Sequence, residues 1–148
     1  MAHLDIKLEN IALDENFCIK YLDMAFCESV HKPLVLPKGT ENYYPPEIVL
    51  AKELVTKGIQ ASSVGFSYSG EKADIFSLGV LLFIMYFGSY PFKDLSVSDL
   101  LYQSMTSGSI SQAEYYFKNH PLTKKANRKG LISDKLKLLF VKMFQMCP

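Results

Sequence analysis

Long apolar runs are missing from this sequence, and with them a membrane span. The longest, Val80 to Phe87, is too short to cross a bilayer and reads instead as a buried helix. The opening Met-Ala-His-Leu-Asp has neither the basic start nor the apolar stretch of a secretory signal. An excess of charge is also lacking. The net charge of +1 gives no strong field to draw nucleic acid or an acidic membrane, so neither is expected as a partner. Cysteine is scarce: Cys18, Cys27 and Cys147 have no metal-ligand spacing and no paired framework. Reduced thiols in a cytoplasmic or nuclear setting are expected. Internal repeats are absent.

What remains is the composition of a globular domain. Of 148 residues 49% are hydrophobic and 21% charged, enough for one core and too apolar for a disordered chain. Ile11 to Leu13 and Phe17 to Leu22 read as two short strands joined by a turn at Asp14, Glu15 and Asn16. Residues 26 to 46 hold Pro33, Pro37, Gly39, Pro45 and Pro46, an irregular segment of the kind that usually carries function. A helix is expected from Pro46 or Glu47 to about Leu54. Residues 56 to 71 read as a Gly- and Ser-rich loop.

Lys72 to Phe87 is apolar on nearly every side and is expected at the centre of the core, with Gly88 ending it. Ser96, with Asp99 behind it, resembles a capping box for a helix closed by Gly108. Ser133 is placed to cap a last helix in which Leu136, Leu139, Phe140, Met143 and Phe144 recur at helical spacing. Residues 109 to 130 give no clear pattern. The basic cluster Lys124, Lys125, Arg128 and Lys129 reads as a solvated loop. The fold class is mainly α with a short β-hairpin.

One constellation carries chemistry. His3-Leu4-Asp5-Ile6-Lys7-Leu8-Glu9-Asn10 puts a carboxylate, an ammonium and a carboxamide on one short loop. Phosphoryl transfer needs such a set: a carboxylate to orient a hydroxyl and take its proton, a lysine to neutralise phosphoryl charge, an amide oxygen for Mg²⁺. A hairpin would bring Asp23 back beside Asn10 as a second metal ligand.

These residues resemble the H-R-D-x-K-x-x-N catalytic loop of protein kinases. Asp23-Met24-Ala25 stands where that family has D-F-G. Gly39 to Glu47 (GTENYYPPE) is similar to G-T-x-x-Y-x-A-P-E, Asp74 to Gly79 (DIFSLG) to D-x-W-S-x-G, and Gly88 to Phe92 (GSYPF) to G-x-x-P-F. The motifs stand in the family's order at near-family spacing. The resemblance implies the C-terminal lobe of the protein kinase fold, an α+β unit, over residues 1–148. The catalytic loop would be 3–10, the activation segment 23–47 and the helical subdomain 46–148.

Carried over by position, Asp5 would be the catalytic base and Lys7 would contact the γ-phosphate of ATP, a lysine typical of serine/threonine kinases. Asn10 and Asp23 would hold Mg²⁺, and Ala12 would lie under the adenine. Thr40 would bridge Asp5 and Lys7 in the substrate loop, and Asp74 would hold the catalytic-loop backbone. His3 and Met24 would stack in an apolar spine. Glu47 would pair with a late arginine, for which Arg128 lies too early. Protein substrate and ATP are the implied partners.

The departures matter too. Only two residues precede His3, so the family's Gly-rich loop and nucleotide-binding lysine are expected to be absent. The cleft floor would then need the N-terminal lobe or another partner to cover it. Leu4 replaces the arginine that receives an activation-loop phosphate, and Ser29 and Thr40 are the only Ser or Thr between Asp23 and Glu47. Ala25 replaces a glycine. These departures favour an alternative, a pseudokinase-like or truncated binding module without phosphotransfer. Residues 58 to 69 read as a surface insertion.

Overall fold

The computed structural model describes residues 1–96 and 98–146; Cys147 lies outside them. The chain opens with Ala2 bridged antiparallel to Glu28, N–H to O distances being 2.8 and 3.0 Å. Strands β1 (Ile11–Leu13) and β2 (Ile19–Tyr21) form an antiparallel hairpin with Ile11 opposite Tyr21. The turn is held by the Asp14 carboxylate, which accepts the N–H groups of Asn16 and Cys18, both at 2.9 Å. The second strand is shorter than Phe17–Leu22 because Phe17 takes a positive φ of 60° inside the turn.

Among the described residues six α-helices follow: α1 (Pro46–Thr56), α2 (Gly70–Phe87), α3 (Leu100–Thr106), α4 (Ile110–Asn119), α5 (Pro121–Arg128) and α6 (Asp134–Phe144). Proline opens α1 and α5, where its missing N–H costs nothing. Ser69 caps α2, and Gly88 ends it in the left-handed conformation that glycine adopts without strain. Ser133 caps α6 by accepting from Leu136.

Ser96 does not cap α3. Its hydroxyl accepts the N–H of Ser98 inside the loop, while the Asp99 carboxylate takes the Tyr102 N–H at 2.7 Å. Asp99 immediately precedes the first helical residue and reaches its free N–H groups, whereas Ser96 lies three residues earlier and is already engaged in the loop. Residues 109 to 130 fold into α4 and α5, broken at His120-Pro121, so the basic cluster sits on and just after a helix rather than in a loop. On α6 the inward stripe includes Phe140, Val141 and Phe144, whereas Leu139 is exposed.

The larger core surrounds α2. Phe76, Phe92, Tyr102, Tyr116, Phe140 and Phe144 interlock there, edge to face at Phe92–Tyr102 with ring centroids 5.0 Å apart and at Phe76–Phe144, and stacked at Phe140–Phe144. Gly79 lets α6 approach, since a Cβ there would stand 3.0 Å from Met143 and Phe144. The smaller core joins Ala2, Leu4, Leu34, Ile48, Ala51, Tyr68 and Ala73. It pins the first residues and the irregular segment onto α1 and α2. Residues 57 to 69 add a surface loop with a short 3-10 turn (Ala61–Val64), tied back by a Leu34–Tyr68 bridge and by Tyr68 donating to the Leu36 carbonyl at 2.7 Å. Among the described residues no helix is long and apolar enough to cross a membrane.

Candidate active site

The polar residues of the opening loop converge because α2 holds its backbone. The Asp74 carboxylate accepts the N–H of His3 at 2.6 Å and of Leu4 at 2.7 Å. Burial raises the Asp74 carboxyl, and these two donors act against it. The grip sustains Leu4 at φ 66°, costly for a leucine and offset by burying its side chain in the smaller core. The chain thereby reverses and aims Asp5 inward. Gly39 packs against the reversal so closely that a Cβ would lie 2.3 Å from the Leu4 carbonyl oxygen.

Asp5 is 5% exposed and surrounded by donors. Thr40 Oγ1 donates to its Oδ1 at 2.7 Å, and Lys7 Nζ lies 2.9 Å from its Oδ2. Asn10 Nδ2 reaches both the Asp5 carbonyl at 2.9 Å and Oδ2 at 3.0 Å. Burial pushes the Asp5 carboxyl up, but the Lys7 ammonium, the Thr40 hydroxyl and the Asn10 amide together outweigh it and hold the group below the usual carboxylate range. The Asp5 hydrogen bond in turn raises the Lys7 ammonium. Lys7 also donates to Thr40 Oγ1 at 2.8 Å, so the hydroxyl accepts from one neighbour and donates to the other. Asp5 is ionised and Lys7 charged at neutral pH.

The hairpin sets the second half of the site. Leu22 N–H donates to the Asn10 carbonyl at 2.8 Å, which brings the next residue, Asp23, to the mouth of the loop. Asp23 has φ 57° and is exposed, with Oδ1 accepting the Ala25 N–H at 3.2 Å. With its Nδ2 spent on Asp5, Asn10 turns its amide oxygen away from that carboxylate. The donor set is thus one amide oxygen and one carboxylate, both hard. It suits Mg²⁺, which keeps waters and takes phosphate oxygens rather than a full protein cage. No group of three or more His, Cys, Asp or Glu able to hold a metal occurs among the described residues.

The other candidates are spread around this centre. His3 accepts the Asp5 N–H on Nδ1 at 3.3 Å and lies 3.1 Å from the Leu22 carbonyl through Nε2, so the loop fixes one tautomer. The ring beside it is Tyr21, 5.8 Å away. Met24 is 50% exposed, with its sulfur 3.4 Å from Cys27 Sγ. Ala12 is half-buried on β1 opposite Lys20. Ala25 is not among the residues with positive φ, so this conformation does not demand a glycine there.

Glu47 sits deep at the start of α1, 4% exposed, and its Oε2 has no hydrogen-bond partner among the described residues. Burial pushes its carboxyl up to about 7, against a modest pull from Lys72. Arg128 is exposed on α5.

Several supports were silent in the sequence. Ser77 donates to the Tyr43 carbonyl at 3.0 Å, tying the turn after Thr40 to α2, and Tyr44 donates to the Gly39 carbonyl at 3.1 Å. Glu28 holds both Lys32 and Lys38, the latter at 2.6 Å. These pairings cross loops, where no periodicity reports them.

The profile of the protein kinase domain matches residues 1–148. The chain belongs to the protein kinase domain family. It is 37% identical over 112 residues to "Serine/threonine-protein kinase kin-29" of Caenorhabditis briggsae, covering 74% of this chain and 12% of that protein. It is 34% identical over 119 residues to "Serine/threonine-protein kinase SRK2C" of Arabidopsis thaliana, covering 78% of this chain and 30% of that protein. With "Putative sperm motility kinase W" of Mus musculus it shares 31% over 102 residues, or 68% of this chain and 18% of that protein. The chain therefore spans less than a third of each of these relatives. The helical body and two-stranded sheet are those of the kinase C-terminal lobe.

Proposed function

We propose that this chain carries the phosphotransfer site of a serine/threonine protein kinase, which moves the γ-phosphate of ATP to a hydroxyl of a protein substrate. The observation that carries the proposal is the Asp5 cluster. A carboxylate buried at 5% exposure is kept ionised by an ammonium, a hydroxyl and an amide. The lysine beside it and the carboxamide of Asn10 are the groups that phosphoryl transfer needs next to a base, and Thr40 from a distant loop holds that base in place.

In this reading Asp5 orients the substrate hydroxyl and accepts its proton as the oxygen–phosphorus bond forms. Lys7 neutralises charge gathering on the transferred group, and Thr40 keeps Asp5 and Lys7 in register. Asn10 and Asp23 would hold Mg²⁺, which when bound would offset the phosphate charges. Ala12 would pack below the adenine. Asp74 and His3 position the loop without touching substrate.

A second reading, a binding module without phosphotransfer, is favoured by the bare apolar surface around the hairpin: Leu13, Ile19 and Met24 are 60%, 63% and 50% exposed.

Titration of the ¹⁵N-labelled protein with ATP and Mn²⁺ tests the metal site on which the first reading relies. Phosphotransfer predicts paramagnetic broadening centred on Asn10 and Asp23, lost in Asp23→Asn. Broadening that is absent, or unchanged in that variant, contradicts the metal assignment.

A further inference from the structure

The region from Tyr115 to Ser133 contains five of the sixteen Lys and Arg and no acidic residue. Because the whole chain is only +1, the remainder is net acidic. Lys124, Lys125, Arg128 and Lys129 are all exposed, and none has an ion-pair partner among the described residues. The nearest acids in sequence are engaged: Glu114 with Lys118 and Lys137, and Asp134 with Lys137. Cations in the last turn of a helix complement its dipole. That accounts for one or two of them, not for a whole acid-free region.

A second feature adjoins this surface. A cleft of about 620 Å³ opens where α5 begins, with Tyr90, Phe92, Leu101, His120, Pro121 and Leu122 in its walls. That volume is typical of a specific ligand site. The wall is largely apolar. Desolvation lowers the His120 imidazole, which is therefore neutral at neutral pH, and the ring stacks on Tyr116. The one acid in the wall, Asp99, is occupied as the cap of α3.

Helical geometry joins the two features. At about 100° per residue, Lys125, Arg128 and Lys129 fall on the same side of α5 as Pro121 and Leu122. They lie roughly 6 to 12 Å further along the axis, the rise of four to eight residues. An extended chain covers that distance in roughly two to four residues.

We propose that this cleft and the basic face leading from it form a docking site for an extended acidic segment of a protein partner. An apolar side chain of that segment fills the cleft, and acidic side chains roughly two to four residues along it meet Lys125, Arg128 and Lys129. The basic face is short, carried by one eight-residue helix and the residue after it, which suits a brief anionic segment. A nucleic acid, charged continuously along its length, would overrun it. A membrane surface is disfavoured because the apolar side of α5 is turned inward: Thr123 is 0% exposed and Ala126 packs on the core. The site does not depend on the phosphotransfer reading.

The test uses the 148-residue chain and a small library of labelled peptides. Each bears Leu, Met or Phe followed after two to four residues by a Glu-Glu-Asp run, and binding is read by fluorescence anisotropy. Members with matching spacing are expected to bind with Kd of about 10–100 µM at low salt. Affinity should fall at least about tenfold with Glu replaced by Gln, in raised salt, or in the double variant Lys125→Glu, Arg128→Glu. Both positions are exposed, so an unchanged thermal melt shows that the variant is folded. Leu122→Gln should weaken the apolar anchor while leaving the salt dependence intact. The proposal is overturned if no member binds below about 1 mM, or if Gln peptides bind equally. Tighter binding of duplex DNA or phosphatidylserine vesicles at the same cations would overturn it too.

Discussion

Two buried carboxylates in this chain experience opposite fates. Asp5 and Glu47 are 5% and 4% exposed, so neither meets bulk water directly, but Glu47 lies deeper in the protein and is the more strongly desolvated. Asp5 receives hydrogen bonds from Thr40 and Asn10 and an ammonium from Lys7, and its carboxyl is held low. Glu47 keeps an oxygen without a partner among the described residues, and burial drives its carboxyl up to about 7. The charge of a buried carboxylate is therefore set by its depth together with the donors brought to it. The loop around Asp5 is built to keep an anion, whereas the foot of α1 tolerates one at a cost.

The comparison can be broken from either side. The largest effect is expected from Gly39→Ala. Gly39 has φ 99°, and a Cβ would meet the Leu4 carbonyl oxygen at 2.3 Å, so either the reversal at Leu4 or the Thr40 loop must move. Urea unfolding should show a loss of roughly 3 kcal/mol. A loss under about 1 kcal/mol would mean that the two loops are not pressed together.

Glu47→Gln probes the other side, and its effect depends on pH. A carboxyl raised from 4.5 to about 7 on folding ionises first in the unfolded chain. Stability is therefore lost as pH rises between those values and stays lost above them. Gln does not titrate. Relative to the native protein, the variant should gain roughly 2 kcal/mol on going from about pH 5 to about pH 8, measured by urea unfolding at each. A difference independent of pH would show that the Glu47 carboxyl is not raised on folding. The smallest effect is expected at Phe17, which is 82% exposed at φ 60°. Phe17→Gly should leave Asp5 and Glu47 untouched and raise stability by up to about 1 kcal/mol, read as a small upward shift in Tm.

Contiguous features were the legible ones. The residues from His3 to Asn10 sit on one loop, so their chemistry stood in adjacent letters. Ser133, Gly88 and the proline of α1 signalled helix ends because capping is a local matter. Features that depend on competition or distance were not readable. Ser96 read as the cap with Asp99 as its partner in one capping box, and only the folded loop shows Ser96 bonded elsewhere and Asp99 itself capping a helix that starts at Leu100. The break between α4 and α5 falls at His120-Pro121 within a polar stretch whose inward residues, among them Tyr116, Phe117 and Thr123, do not form one continuous stripe. The two lysines on Glu28 reach it from separate places in an irregular segment.

The most direct test of the account is phosphate transfer by the protein purified from its native source, comparing it with Asp5→Asn. The substituted amide keeps the size of the side chain but cannot accept a proton. The account predicts measurable transfer from ATP to serine or threonine peptides, reduced roughly 100- to 10,000-fold in the variant, with the thermal melt of each reported beside it. Transfer that persists at the native rate in a folded Asp5→Asn protein, or no transfer by the native protein, would contradict it.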